Sequence, residues 1–436
     1  MDPQVLAIIR ATNPWLERPR AFGAHLDQKL AASEWIPRTV PAMSDWPVAG
    51  TAHLLVGARQ VGKSSHLLRW LGRVGPPPLV LNAEEPTIRA WLGSPALVLD
   101  GVRSVVTADR PVVIEEAQHV ADAGLLTKGL IDYGLPNALY VTGSSSFHLL
   151  SKTRESLAGR AARALMHPLS LAELSGRHAH FPPALRAARV ADDAVRLCLY
   201  GGYPDAFRAN EPIPVLTRLL EAFVLRDASD LFRIRHLDAF RKLALLISRQ
   251  TGQLVNTAEW ASLCGVSRDT IDSYVDLLRE SQLVHTVSPF AGGKRSELTR
   301  RPKLYFCDNG LYGTLQQSFL PLSHRPDSGA LVEAFVAGEL RKHLSPLEPS
   351  DTLRYWRSTS DAEVDFVVER RDGLHAFEVK ASELQRPTLT RSAHSFIAAY
   401  APARFTVVNL SLTADQDVGE TRVQWRPLSF LEDPFA

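Results

Sequence analysis

The residues Gly57-Ala-Arg-Gln-Val-Gly-Lys-Ser64 have the types and spacing needed to hold a phosphate chain. They fit G-x-x-x-x-G-K-S, with Gly57, Gly62, Lys63 and Ser64 at the fixed places. Apolar Leu54–Val56 precedes them as a buried strand, and helical apolar spacing follows from Ser65 to Leu71. Strand, loop and helix in that order form the context in which this pattern binds a nucleotide. The glycines let backbone N–H groups turn inward, and the helix N-terminus adds favourable partial charge. Gly57, Ala58, Arg59, Gln60, Val61, Gly62, Lys63, Ser64 and Ser65 are therefore the expected phosphate-binding residues. Lys63 would reach the β- and γ-phosphates of ATP, and the Ser64 hydroxyl would join a Mg²⁺ shell.

Such a loop needs a second carboxylate for the metal and a group to orient the attacking water. Val112-Val-Ile-Glu-Glu116 offers both at the end of an apolar strand. Glu115 takes the metal side and Glu116 polarises water. At the end of the next strand, Ala138-Leu-Tyr-Val-Thr-Gly-Ser144, either Thr142 or Ser144 could hydrogen-bond that water or the γ-phosphate.

These strands, with Leu79-Val-Leu81, alternate with helical stretches, which predicts a parallel α/β sheet. Ligands on such sheets sit at the C-terminal strand ends, where Asn82, Glu84, Glu115, Glu116 and Thr142 accumulate. Residues 1–40 read as a helical extension with Leu6, Ile8, Ile9 and Trp15 buried, and 41–170 as the P-loop core. Residues 171–248 read as a helical lid, broken at Phe181-Pro-Pro183 and Gly201-Gly-Tyr-Pro204.

At 436 residues the chain is too long for one ordinary core. Its 45% hydrophobic and 22% charged residues are those of a globular protein, and its net charge of +2 names no partner. Cys198, Cys264 and Cys307 form no CxxC pair, which argues against structural zinc or a disulfide framework. The N-terminal Met-Asp-Pro-Gln lacks a basic n-region, and no apolar run approaches the ~18 residues of a membrane span. A cytoplasmic protein with no membrane partner is the expectation.

Residues 249–315 read as a winged helix. A helix follows Asn256, Gly265 and Val266 make the turn, and Ser267 caps a second helix. In that helix Ile271, Tyr274, Val275 and Leu278 would pack on Trp260 and Cys264. Leu283–Val287 and Lys303–Phe306 would form the wing, with Lys294, Arg295, Arg300 and Arg301 in its loop as candidate DNA-phosphate contacts. The second helix also exposes Asp269, Asp272, Asp276 and Glu280, which would repel phosphate.

Taken together, the Gly57–Ser64 loop, Glu115-Glu116-Ala-Gln118, T-G-S-S at 142–145, Leu157-Ala-Gly-Arg160 and Pro168-Leu-Ser-Leu-x-Glu173 resemble a large prokaryotic family of AAA-type ATPases. Gly201-Gly-Tyr-Pro204 and Pro302-Lys-Leu-Tyr-Phe-x-Asp308-x-Gly-Leu311 extend the resemblance, whose landmarks run from about residue 50 to 382. Members commonly carry a C-terminal domain related to PD-(D/E)XK nucleases. The resemblance implies ATP hydrolysis and a homo-oligomer, a ring among its forms. Arg160 would complete a neighbouring subunit's site, where such a finger is worth ~10³-fold or more, or act as a sensor in its own. Family members usually have Asp-Glu where this chain has Glu115-Glu116. The extra methylene moves the metal-side carboxylate outward, which near-ideal Mg²⁺ geometry tolerates poorly.

The region 320–436 reads as α-β-β-β-α-β, the order of the PD-(D/E)XK core. Its first helix, Ser328–Leu344, turns Glu333 inward. Side chains two apart on a strand share a face, so Glu363 pairs with Asp365 and Glu378 with Lys380. Asp365, Glu378 and Lys380 then match D…E-x-K, in which two carboxylates hold a metal and the lysine positions or deprotonates water. The fold class expected is thus α/β: a P-loop ATPase domain with helical lid, a central winged helix and a PD-(D/E)XK-like domain. The function expected is ATP-driven work on DNA: translocation, branch migration or remodelling. An ATP-gated metal-dependent endonuclease and a nucleotide switch acting through a protein partner are the alternatives.

Overall fold

The computed structural model describes residues 1–31, 35–40, 43, 46, 51–143, 161–223, 234–292, 301–344 and 352–436. Ser144, Lys294, Arg295, Arg300 and the segment Leu157–Arg160 lie outside the described residues. The chain divides into two compact units, one essentially Met1–His167 and the other Pro168–Ser229, Ile234–Arg279 and Leu283–Ala436.

The first unit is built on five strands: β1 (Ala52–Val56), β2 (Leu79–Asn82), β3 (Val112–Glu115), β4 (Leu139–Gly143) and β5 (Ala161–Leu165). All neighbours are parallel, in the order β2-β3-β4-β1-β5. Parallel strands bury both faces. One face carries Leu54, Leu81, Ile114 and Val141 against Ile88, Val98, Val102, Leu126 and Leu130 of the covering helices. On the other, His53 stacks on Tyr140 with ring centroids 5.0 Å apart, and Trp70 of the helix Lys63–Val74 meets Tyr140 edge-on at 5.8 Å. Stripped of water there, the Tyr140 phenol is pushed up to about 12.

The N-terminal extension completes this sheet. Its helices Pro3–Thr12 and Ala21–Ala31 flank Asn13 and Trp15. The fully buried Asn13 amide accepts from the Val80 N–H at 2.7 Å and donates to the Val80 carbonyl at 2.9 Å. One side chain thereby supplies the ladder partner that β2, at the sheet edge, would otherwise lack. Trp15 Nε1 donates to the Pro78 carbonyl at 2.6 Å.

The second unit pairs a helical layer with a mixed sheet. Its strands are β6 (Val284–Pro289), β7 (Lys303–Phe306), β8 (Arg354–Arg357), β9 (Glu363–Arg370), β10 (Gly373–Val379), β11 (Arg404–Asn409), β12 (Ala414–Val418) and β13 (Thr421–Pro427). Their order is β12-β13-β11-β10-β9-β8-β6-β7. The sheet passes without a break through the point near 315–320 where the sequence predicts a domain boundary. The cause is the length of β6: Val284–Val287 pair antiparallel with β7, and Ser288 and Pro289 pair parallel with β8. Trp356, Phe396, Phe405 and Trp425 anchor the core of this region.

Ahead of β6, the helices Thr257–Cys264 and Arg268–Glu280 are joined by a turn at Gly265, which sits left-handed at φ 69°. Asn256 caps the first, and Ser267 Oγ accepts from the Thr270 N–H at 3.2 Å to cap the second. Trp260, Ile271, Tyr274, Val275 and Leu278 are buried, while Asp269, Asp272 and Asp276 are exposed.

Three landmark stretches of the sequence have local structural reasons. In Pro168–Glu173, Ser170 and Glu173 form a reciprocal capping box on the helix Leu171–Gly176. Gly201-Gly-Tyr-Pro204 meets Asp308: the Gly202 N–H donates to Asp308 Oδ2 at 2.7 Å, and the Gly310 N–H to Oδ1 at 2.9 Å. A Cβ on Gly201, whose φ is +72°, would fall 2.0 Å from Asp308 Oδ1. Cys198, Cys264 and Cys307 are all free thiols.

Candidate functional site

The Gly57–Ser64 loop leaves β1 and enters the helix Lys63–Val74 through Gly62, left-handed at φ 95°. A Cβ on Gly57 would lie 2.2 Å from the Met166 carbonyl oxygen, so only glycine fits. The Met166 N–H donates to the Val56 carbonyl at 2.8 Å, which pins that neighbour against the loop. Gln60 also holds positive φ, at 60°, without the freedom of a glycine. Lys63 is buried, and its Nζ donates to the carbonyls of Gly57 at 3.0 Å and Ala58 at 2.8 Å. Ser64 and Ser65 follow it in the first helical turn, where amide N–H groups favour an anion. Sequence reasoning missed Arg38, whose guanidinium donates to the carbonyls of Val61 at 2.6 Å and His167 at 2.5 Å, bracing the loop from outside the motif.

The paired carboxylates lie at the end of β3. Because β4 is inserted between β3 and β1, its Thr142 stands beside both. Leu55 pairs with Thr142, and Ile114 with Val141, so Glu115 occupies the next rung beside Thr142. Glu115 is buried. Glu116 turns left-handed at φ 53°, with its N–H directed to Thr142 Oγ1 at 3.4 Å. Its carboxylate Oε2 accepts from Gln118 Nε2 at 2.5 Å, which gives the Ala117-Gln118 landmark a positioning role. A non-glycine residue in this region carries backbone strain. Thr142 thus accepts from the Glu116 backbone and keeps its own hydroxyl proton to donate. Around the rim, Arg59 Nη2 lies 3.4 Å from Glu84 Oε1, and His119 Nε2 lies 3.7 Å from the same oxygen. The donor set suits Mg²⁺: a hydroxyl from Ser64 and a carboxylate from Glu115 are hard oxygen ligands.

The second unit brings together the other carboxylates. Phe377 of β10 pairs with Phe366 of β9, so Glu378 and Asp365 occupy the next rung. Asp365 Oδ2 accepts from the Val379 N–H at 2.7 Å. Glu378 accepts from Lys380 Nζ at 2.7 Å and from Thr390 Oγ1 at 3.0 Å. Glu333 accepts from the Tyr305 hydroxyl at 2.6 Å. Sequence reasoning did not assign Lys303 and Tyr305 to this cluster, although their i, i+2 spacing on β7 puts both on one face. Lys303 is buried; its Nζ contacts Glu363 Oε1, lies 3.4 Å from Glu333 Oε1 and faces the Tyr355 ring at 5.4 Å. Burial pulls the Lys303 ammonium down, but the charges of Glu333, Glu363 and Asp365 outweigh it and hold it above its ordinary value. Burial and the neighbouring Glu333 charge push the Asp365 carboxyl up to about 8. A divalent metal does not fit this arrangement: the Lys303 ammonium already pairs with Glu333 and Glu363, and protein donors engage Asp365 and Glu378. Of the basic loop only Arg301 is described; it is exposed, and its carbonyl accepts from the Tyr355 hydroxyl at 2.7 Å.

Residues 50–175 match the AAA domain, and residues 191–322 and 328–428 match two domains of unknown function (DUF8612 and DUF4143). Two uncharacterized proteins, from Mycobacterium tuberculosis and Mycobacterium bovis, are each 31% identical over 362 residues, covering 81% of this chain and 75% of theirs. The chain belongs to their family. An uncharacterized Haemophilus influenzae protein is 25% identical over 181 residues, covering 40% of this chain and 44% of its own. Among solved structures, Cdc6p from Pyrobaculum aerophilum aligns with 58% of this chain and 89% of its own at 14% identity. Its TM-score of 0.25 is too low to bear on the fold. Within this family member, the AAA match spans the phosphate loop, Glu115 and Glu116, so the first unit is an AAA-type P-loop domain. Among the described residues no helix is long and apolar enough to cross a membrane.

Proposed function

We propose that this protein binds and hydrolyses ATP and uses the cycle for work on DNA. The observation that carries the ATPase reading is the pairing of a buried Lys63 at the helix start with a Glu116 held left-handed beside Thr142. Loop amides and Lys63 cradle the β- and γ-phosphates. Glu116, oriented by Gln118, accepts a proton from the attacking water or aligns it. Bound Mg²⁺ would supply charge neutralisation across those phosphates, with Ser64 and Glu115 as its protein oxygens. Arg160 supplies the finger for a neighbouring copy, and Ser144 hydrogen-bonds the γ-phosphate or the water.

For DNA, the contact is assigned to the loop bearing Lys294, Arg295, Arg300 and Arg301 and not to the helix Arg268–Glu280. Asp269, Asp272 and Asp276 are exposed on that helix and would meet phosphate with like charge. Cutting at Asp365 and Glu378 is not part of this reading, because the neighbouring Glu333 and Glu363 are already paired with the Lys303 ammonium and protein donors engage Asp365 and Glu378 themselves. The same acidic face favours one other reading, a nucleotide switch that docks a basic protein partner.

ATPase rates with and without single-stranded, duplex and branched DNA test the assignment. DNA stimulation in the parent, absent in Glu116→Gln, is expected. Turnover indifferent to every DNA would transfer the protein to the switch reading, and no turnover at all would remove the hydrolytic role.

A further inference from the structure

The carboxylates of the second unit invite a divalent ion by residue type, yet Lys303 takes that place. We infer that the Lys303 ammonium is the built-in cation of the Glu333–Glu363–Asp365 cluster and excludes a divalent metal from it. Three observations carry this. First, Lys303 is presented from β7, an edge strand fixed by pairing with β6 on one side and by a bridge to Leu254 on the other. Its stem is therefore set by the sheet, with only 5% of the side chain exposed.

Second, the ammonium is shared. It contacts Glu363 and approaches Glu333, each of which has a further protein partner: the Tyr305 hydroxyl donates to Glu333, and Arg357 Nη1 forms an ion pair with Glu363 Oε2 at 3.8 Å. A lysine among several carboxylates is a point charge with three donors, the nearest side-chain substitute for a small hydrated cation. Third, Asp365 and Glu378 are committed to Val379, Thr390 and Lys380. A metal would have to displace an ammonium held by two carboxylates and also strip these bonds, and dehydrating Mg²⁺ adds to that cost.

The cluster thus fastens β7 to β9 and to the helix Ser328–His343 without an ion. The inference does not depend on ATP turnover or on DNA binding, since it is read without nucleotide or nucleic acid.

The test is Mn²⁺ binding to the nucleotide-free full chain, followed by electron paramagnetic resonance and by thermal shift. It compares the parent with Lys303→Met, Asp365→Asn and the double variant. The parent and Asp365→Asn should bind Mn²⁺ identically, while Lys303→Met gains one ion that the double variant loses. Where Lys303→Met folds only marginally, Mn²⁺ should raise its melting temperature and leave the parent's unchanged. Mn²⁺ binding by the parent that disappears in Asp365→Asn would overturn the inference. So would a Lys303→Met protein that gains neither an ion nor thermal stability from Mn²⁺.

Discussion

Lys63 donates to the carbonyls of Gly57 and Ala58, so an arriving triphosphate must exchange those bonds for its own oxygens. A phosphate oxygen is an ionised acceptor where a carbonyl is neutral, which makes the exchange favourable. Lys63→Ala is expected to weaken ATP binding by roughly 100-fold, about 3 kcal/mol, in a fluorescent-nucleotide titration; equal affinity would remove the loop from the site. Glu115 is one methylene longer than the aspartate usual in the family the sequence resembles. Glu115→Asp should therefore raise turnover, by about tenfold if metal geometry limits the rate, measured as phosphate release at saturating ATP. Lys63 and Glu116 stood out in the sequence because the loop carbonyls that Lys63 meets and the Gln118 amide that Glu116 meets lie a few residues away. Arg38 was not, since one of its partners is the carbonyl of His167, 129 residues on. Nor was the place of Lys303, whose partner Glu333 lies 30 residues away on another element.

The same contrast governs the elements. β1 to β4 follow from apolar runs ending in polar residues, and the helices after Asn256 and Ser267 follow from their caps. The hairpin of β12 and β13 escaped notice: β12 reads Ala-Asp-Gln-Asp-Val, a polar edge strand with no apolar alternation to mark it. The junction of Gly201 with Asp308 was visible only as two separate motifs, because 106 residues of chain lie between them. Adding a methyl there drives a carbon into a buried carboxylate at a left-handed backbone position. Gly201→Ala should cost about 3 kcal/mol or more in chemical denaturation of the second unit, and a loss below about 0.5 kcal/mol would contradict the packing described. Asp365 belongs to this scale too. Its carboxyl is raised to about 8 in the folded chain against an ordinary 3.8, so folding favours its protonated form. That contribution is complete below pH ~4 and is lost as pH rises through ~8. Asp365→Asn, which cannot ionise, should thus gain stability relative to the parent as pH climbs from 5 to 9, by several degrees in melting temperature. A constant gap across that range would be inconsistent with the shift.

At the scale of the molecule, the proposed division of labour is one unit that turns over nucleotide and one that meets the nucleic acid. If the loop at 294–301 is that contact, DNA affinity falls steeply with salt. Neutralising Arg295, Arg300 and Arg301 together should flatten the slope of log affinity against log salt by about 3, and an unchanged slope would exclude them. The side-chain amide of Asn13 has a consequence at this scale as well. It stands in for a missing strand on β2, and without it the outer rim of the sheet would present bare backbone groups to any extended peptide. A chain clipped after Asn13, or carrying leucine there, would be sticky before it was inactive: copies would zip together rim to rim and fall out of solution, even with every phosphate-binding residue intact.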